Sequence, residues 1–304
     1  MTNSPTKILP SEEQLLEILR KTIDKSWKID LDMSSISRWL DNFKGEVLDS
    51  KEERNIALWL LCHFTYYNHN DISYLCRILY GKLMHEIAVD NNLSCISEIN
   101  KERYNMCFSS IGAASESGGM LLYYFRQESG ISLNHFFYPT VLTGNSDTIL
   151  IFLDDVIISG DTAINFYKRN IVANSNLKFK SIYYLSLFAT KKAVEDLRNH
   201  GILVIACNIL NDRDKCFSEM SMIFSRFPDV REIAEKMVRH YGNKLKPEYP
   251  LGYKDGQLCM GFEYNTPNNT LPIFWSENNW YPLFPRKEKV YTDEDMLSYN
   301  RRFI

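Results

Sequence analysis

The stretch Ile149-Leu150-Ile151-Phe152-Leu153-Asp154-Asp155-Val156-Ile157-Ile158-Ser159-Gly160-Asp161-Thr162 decides how this chain folds. Its unbroken apolar run reads as a strand buried on both faces, the habit of a parallel sheet. Two carboxylates, Asp154 and Asp155, follow at the C-terminal end of that strand. A tight Ser-Gly-Asp-Thr turn comes next, and then a helix through Ala163–Arg169. In open α/β sheets, ligands bind outside the carboxyl ends of the strands. A small glycine-containing turn that opens a helix aims backbone N–H groups at an anion. Ser159 and Thr162 add hydroxyl donors. The combination suits a phosphate monoester, with the acidic pair beside it for sugar hydroxyls or for a metal held by them.

The pattern continues outward from this stretch. Before it, Tyr104–Ile111 reads as a short strand running into the small-residue loop 112–119, and Met120–Gln127 as a helix. After it come a strand over Ser181–Ala189 and a helix over Lys191–His200, capped by Thr190 and stopped by Gly201. Ile202–Leu210 is the next strand. The alternation predicts an α/β fold with an open, mostly parallel sheet and helices on both faces, over residues 101–215.

Residues 1–100 read as an N-terminal helical region. Ser11–Asp24 and Ser35–Phe43 are shorter helices. Ser50 and Glu53 have capping-box spacing, and the run behind them places Ile56, Leu60, Phe64 and Tyr67 on one face. Asp71 caps a second amphipathic run carrying Ile72, Leu75, Leu79, Leu83 and Ile87. Residues 216–304 read as a C-terminal cap packed on the core, with helices over Phe217–Phe224 and Asp229–Gly242 before a loop-rich aromatic tail. Trp275, Trp280 and Phe284 give those loops something to bury.

Composition removes several function classes. The 35 Lys+Arg against 38 Asp+Glu give a net charge of −3, which argues against holding nucleic acid by bulk electrostatics. The 45% hydrophobic content is enough for a large core and too much for a disordered chain. The first residues show no apolar signal segment, and no apolar run is long enough for a bilayer, so the expectation is a cytoplasmic protein without a membrane. The 7 cysteines lack CxxC spacing and read as reduced, and no histidine pattern suggests a protein-held metal. The strand with its Asp-Asp could be a Walker B motif, but no GxxxxGK[ST] partner is present.

The motif resembles that of phosphoribosyltransferases of the common parallel-sheet type (type I). Their signature is an apolar strand, two acidic residues, three mostly apolar positions, Thr or Ser, Gly, any residue, then Thr. Asp154, Asp155, Ser159, Gly160 and Thr162 meet it. By that resemblance, Ser159, Gly160, Asp161 and Thr162 hold the 5-phosphate of phosphoribosyl pyrophosphate. Asp154 and Asp155 are the catalytic pair, addressing the ribose hydroxyls and, indirectly, Mg²⁺, which no protein side chain holds directly. Ala113, Ala114, Ser115, Glu116 and Ser117 occupy the place of the family's pyrophosphate loop. The resemblance implies a glycosyltransferase that transfers or hydrolyses the phosphoribosyl group, and its ligand is a phosphorylated ribose or a nucleotide.

The N-terminal helices and the closing NTPNNTLPIFW…WYPLFPR segment resemble a narrower group from bacterial conflict systems. Some of that group are encoded beside retron reverse transcriptases as antiphage effectors. That likeness implies a defence role and a partner complex containing a reverse transcriptase with its RNA–DNA. Two departures bear on chemistry. Ile158 stands where purine-salvage members carry an Asp, and residues 115–117 offer no Lys or Arg where many members have one. They favour the alternative, a non-catalytic sensor of phosphoribosyl pyrophosphate or nucleotide, whereas the intact acidic pair favours an enzyme.

Overall fold

The computed structural model describes residues 9–111, 117–138, 144–174 and 176–286. The N-terminal helices are α1 (Glu12–Thr22), α2 (Met33–Leu40) and α3 (Ser50–Cys62). Ser11 begins α1 with a reciprocal cap: its hydroxyl accepts from Gln14 N, and Gln14 accepts from Ser11 N. The expected cap of α3 moves one residue. Asp49 stands in extended backbone and accepts from Lys51 N and Glu52 N, while Ser50 is already helical. A carboxylate answers the helix N-terminus more strongly than a hydroxyl, so Asp49 displaces Ser50 and Glu53 is left for another task.

Tyr67 does not continue the face of α3. The helix ends at Cys62, and Thr65–Tyr67 forms strand β1, because β-branched and aromatic residues there find a partner strand. Next is α4 (His69–Asp90). Asn68 caps it, and Asp71 at the third helical position bonds back to Asn68 N, so Asp71 completes the capping box and does not cap. The chain then runs through α5 (Ile96–Glu102), β2 (Met106–Ser110), α6 (Ser117–Ser129), β3 (Ile149–Ile157), α7 (Asp161–Tyr167), β4 (Ser181–Thr190), α8 (Lys191–Arg198), β5 (Leu203–Leu210), α9 (Pro228–Leu245) and β6 (Met260–Phe262). The expected helix over Phe217–Phe224 is a series of turns. Gln257 pins its start by accepting from Cys216 N and Phe217 N, and Ser221 Oγ ties back to Cys216 O.

The sheet has the order β2-β3-β4-β5, all parallel, with helices on both faces. On one face Ile149, Ile151, Leu153 and Leu185 meet Leu79 and Leu83 of α4 and Leu121 and Phe125 of α6. On the other, Leu150, Phe152 and Tyr184 meet Ala163 of α7 and Ala193 and Leu197 of α8. Period-two alternation along strands apolar on both sides produces this division. After β2 and α6 the chain returns at Phe136, which bridges Phe108 of β2. Since β3 holds the opposite edge of β2, the chain leaves β2 in one direction and β3 in the other. The carboxyl ends of β2 and β3 therefore form a topological switch point, where an open sheet leaves a crevice.

A separate cluster joins the two ends of the chain. Trp27, Trp39 and Phe43 pack with Tyr241, Phe274 and Phe284. Both Trp39 Nε1 and Trp280 Nε1 donate to Ile273 O, at 2.8 Å each. β1 pairs with β6, and Met260 and Phe262 of β6 reach the α4 side of the sheet. Packing thus groups the chain differently from the three sequence segments. Residues up to about Phe64 share a core with the C-terminal segment, while α4 serves the sheet. Among the described residues no helix is long and apolar enough to cross a membrane.

Candidate functional site

β3 delivers Asp154 and Asp155 to the switch point on alternate faces. Asp154 shares a side with Phe152 and takes a hydrogen bond from Tyr184 Oη of β4 at 2.9 Å. It also accepts from Asp155 N at 2.9 Å. Packing strips water from the Asp154 carboxyl, and the adjacent Asp155 charge adds repulsion. Together they push it well above the usual carboxylate range, with the Tyr184 bond pulling the other way. Burial and Asp154 likewise raise the Tyr184 phenol. Asp155 is buried and accepts from Val156 N at 2.8 Å. Two carboxyls crowded at a strand end are held at some electrostatic cost, and sugar hydroxyls or a bound cation would relieve it.

The Ser159–Thr162 turn follows directly. Gly160 has φ +70° at the N-cap of α7, and a Cβ there would lie 3.1 Å from Leu197 Cγ of α8. Only glycine meets both demands without strain. Ser159 Oγ donates to Asp161 Oδ2 at 2.9 Å, and Thr162 is exposed. The helix continues past α7 through a π-helical turn, Lys168–Val172. We expect Gly160→Ala to lower stability by about 1–2 kcal/mol, since the turn must open to relieve the left-handed strain. Chemical denaturation of the variant checks it.

Ser117 opens α6, and Ala113, Ala114, Ser115 and Glu116 lie outside the described residues. The first turn of α6 sits against both strand ends: a Cβ on Gly118 would be 3.1 Å from Leu153 O and from Ser110 Cβ. Ile158 lends its carbonyl to Thr190 Oγ1 at 2.6 Å, and its side chain packs on the α4 side of the core. Arg103 lies over the Tyr80 ring and bonds Ser129 O, and Arg126 lies over Tyr123. Among the described residues, no group of three or more His, Cys, Asp or Glu could hold a metal ion.

Three residues of this mouth escape a reading of the sequence. Tyr184 is one, visible only once β4 is registered beside β3. Tyr264 is the second. Its ring stacks on Phe262 at 5.5 Å, and its buried Oη has no hydrogen-bond partner among the described residues. Burial, then the charges of Asp155 and Asp154, push that phenol up. An unpaired buried hydroxyl is costly unless a ligand group completes it. Lys254 is the third, with Nζ 3.0 Å from Asp161 Oδ2. It rides a turn in which Lys254, Asp255 and Gln257 all have left-handed φ, at 55°, 52° and 50°. Each such residue costs about 1–2 kcal/mol, whereas an ion pair this exposed contributes roughly 1 kcal/mol at most.

The PRTase-CE family model matches residues 36–286, most of the chain. The chain belongs to the PRTase-CE family. This PRTase-CE member is phosphoribosyltransferase-like, and the acidic pair and glycine turn lie inside the matched region. Among solved structures, it is similar to an orotate phosphoribosyltransferase from Aeropyrum pernix at 15% identity and TM-score 0.26. That match covers 36% of this chain and 62% of the other. A hypothetical protein from Neisseria gonorrhoeae with bound ppGpp matches at 13% identity and TM-score 0.32, over 55% of this chain and 97% of that one. A UMP synthase from Leishmania donovani matches at 12% and 0.30, over 67% and 42%. No curated protein matches the PRTase-CE chain.

Proposed function

We propose that this protein binds Mg²⁺–phosphoribosyl pyrophosphate and transfers or hydrolyses its phosphoribosyl group. The observation that carries the reading is the meeting of Asp154–Asp155 and the Ser159–Thr162 turn at one switch point of the sheet. Asp154 and Asp155 would take the ribose hydroxyls, one from each face of the strand. The amides of Gly160, Asp161 and Thr162 would take the 5-phosphate. As pyrophosphate departs, the ribose carbon gains positive charge, so catalysis lies in fixing the ribose and stabilising the separating charges. Mg²⁺, carried by the ligand, supplies neutralisation of the leaving group. The acidic pair suits such a group, since its own carboxyls already crowd each other.

Titration calorimetry with phosphoribosyl pyrophosphate and Mg²⁺ tests the proposal. The wild type gives saturable heat, and Asp155→Asn weakens the affinity at least tenfold. No heat from the wild type, or equal heat from Asp155→Asn, overturns it. Pyrophosphate release separates turnover from the second reading, a sensor that binds without reacting. That reading draws on Ile158, whose side chain packs into the core and brings no carboxylate to the mouth.

The biological role we infer is that of an effector in bacterial antiphage defence of the retron type. It would act in the cytoplasm beside a reverse transcriptase complex, reached through a protein partner. The support is the resemblance of the N-terminal helices and of the Asn265–Trp275 and Trp280–Arg286 segments to that group. Loss of phage protection in the Asp155→Asn strain, at equal protein level, is the expected result.

A further inference from the structure

The nine residues from Asp154 to Thr162 carry three carboxylates and no cation. Asp161 sits within the turn assigned to the phosphate, and its carboxylate also takes the Ser159 hydroxyl. A phosphate approaching that turn alone would meet a like charge at contact distance. The C-terminal segment answers it. Lys254 reaches across from the turn after Gly252 and places Nζ 3.0 Å from Asp161 Oδ2. Lys192 of α8 adds a weaker attraction to the same carboxylate.

The placement of Lys254 is built. A Cβ on Gly252 would lie 2.2 Å from Asn269 O, and one on Gly256 would lie 2.8 Å from it, so this turn is pressed onto Asn269. Tyr253 N donates to Asn268 O at 2.7 Å, and Asn269 Nδ2 donates to Tyr253 O at 3.0 Å. Lys215 flanks Asp255 at 3.7 Å. The left-handed backbone at Lys254 is held in place by these contacts, and a half-exposed surface ion pair does not repay its strain. Strain of this kind gathers where a geometry serves function. Nearby, Tyr264 lies within electrostatic reach of Asp155 and Asp154, and its buried hydroxyl has no hydrogen-bond partner among the described residues.

We propose that Lys254 is a positioning residue that neutralises Asp161 and so admits a phosphate dianion to the Ser159–Thr162 turn. It rests on the phosphoribosyl reading above. The C-terminal segment thereby supplies the cation that the turn itself lacks, and anion affinity depends on that segment being seated.

The test is a charge-removal cycle read by calorimetry with phosphoribosyl pyrophosphate and Mg²⁺. Lys254→Met weakens affinity about tenfold with no change in melting temperature, and Lys254→Arg restores most of it. Adding Asp161→Asn to Lys254→Met brings affinity back to within about threefold of the wild type, because the charge to be neutralised is gone. The loss in Lys254→Met also shrinks as salt rises. Equal affinity in Lys254→Met, or a loss that Asp161→Asn fails to repair, overturns the inference and leaves the phosphoribosyl reading standing. A wild type that binds nothing overturns both.

Discussion

Glu53→Ala lowers the unfolding free energy by about 3–5 kcal/mol, the largest loss we expect from a single side chain here. Glu53 is fully buried in α3. Its carboxylate accepts from Gly45 N at 2.8 Å, Val47 N at 2.7 Å and Leu48 N at 3.2 Å. Tyr241 Oη of α9 donates to it at 2.5 Å, and the same phenol accepts from Lys44 N at 3.0 Å. One carboxylate thus organises the loop before α3 and fastens α9 to it. Alanine leaves buried donors without an acceptor, and their desolvation is then uncompensated. Tyr241→Phe removes the bond to Glu53 and also the acceptor of Lys44 N, and should cost about 1–3 kcal/mol. Urea unfolding reads both variants. A loss below 1 kcal/mol in Glu53→Ala would show that water or a rearranged loop satisfies the donors.

Asp154→Asn should do the reverse to stability while abolishing ligand binding. The Asp154 carboxyl titrates above its ordinary 3.8 because of burial and the Asp155 charge. The native state therefore keeps this proton to higher pH than the unfolded chain does. Wild-type stability from this group is full below the unfolded value and falls as pH rises from there through the raised native value. Asparagine has no such charge. The variant should match the wild type near pH 4 and gain about 1–3 kcal/mol by neutral pH. Thermal melts across that window check the sign. A gain independent of pH, or none, would mean that the pair carries no electrostatic cost in the free protein. An acidic pair that weakens its own fold is a common mark of a site shaped for a ligand.

The sequence was most legible where structure is local. The β3 strand, its acidic pair and the Gly160 turn follow from one continuous stretch, and Thr190 and Gly201 mark the ends of their helix as expected. Competition between neighbours was harder to read. Asp49 and Asn68 took capping roles that spacing alone gives to Ser50 and Asp71. Long-range partners left no local signal. Tyr67 is a strand residue paired with Phe262, and Phe217–Phe224 is a run of turns whose start Gln257 pins. Tyr264 and Lys254 reach the mouth from the far end of the chain. Their neighbours in sequence say turn, and only the folded path brings them beside Asp161 and the acidic pair.

The shared core of the chain ends also sets a timetable. Trp39 and its acceptor Ile273 are 234 residues apart. At translation speeds of about 5–20 residues per second, the N-terminal helices wait roughly 10–50 s for the segment that covers them. The faces of Trp27, Trp39 and Phe43 that meet Tyr241, Phe274 and Phe284 stay uncovered through that interval, while the parallel sheet between the two segments is still being made. Such non-local closure is slow to form and exposed to aggregation. An interrupted nascent chain can hold every residue of the β3 turn and still lack Lys254, so the Lys254–Asp161 pair is among the last contacts the emerging protein makes.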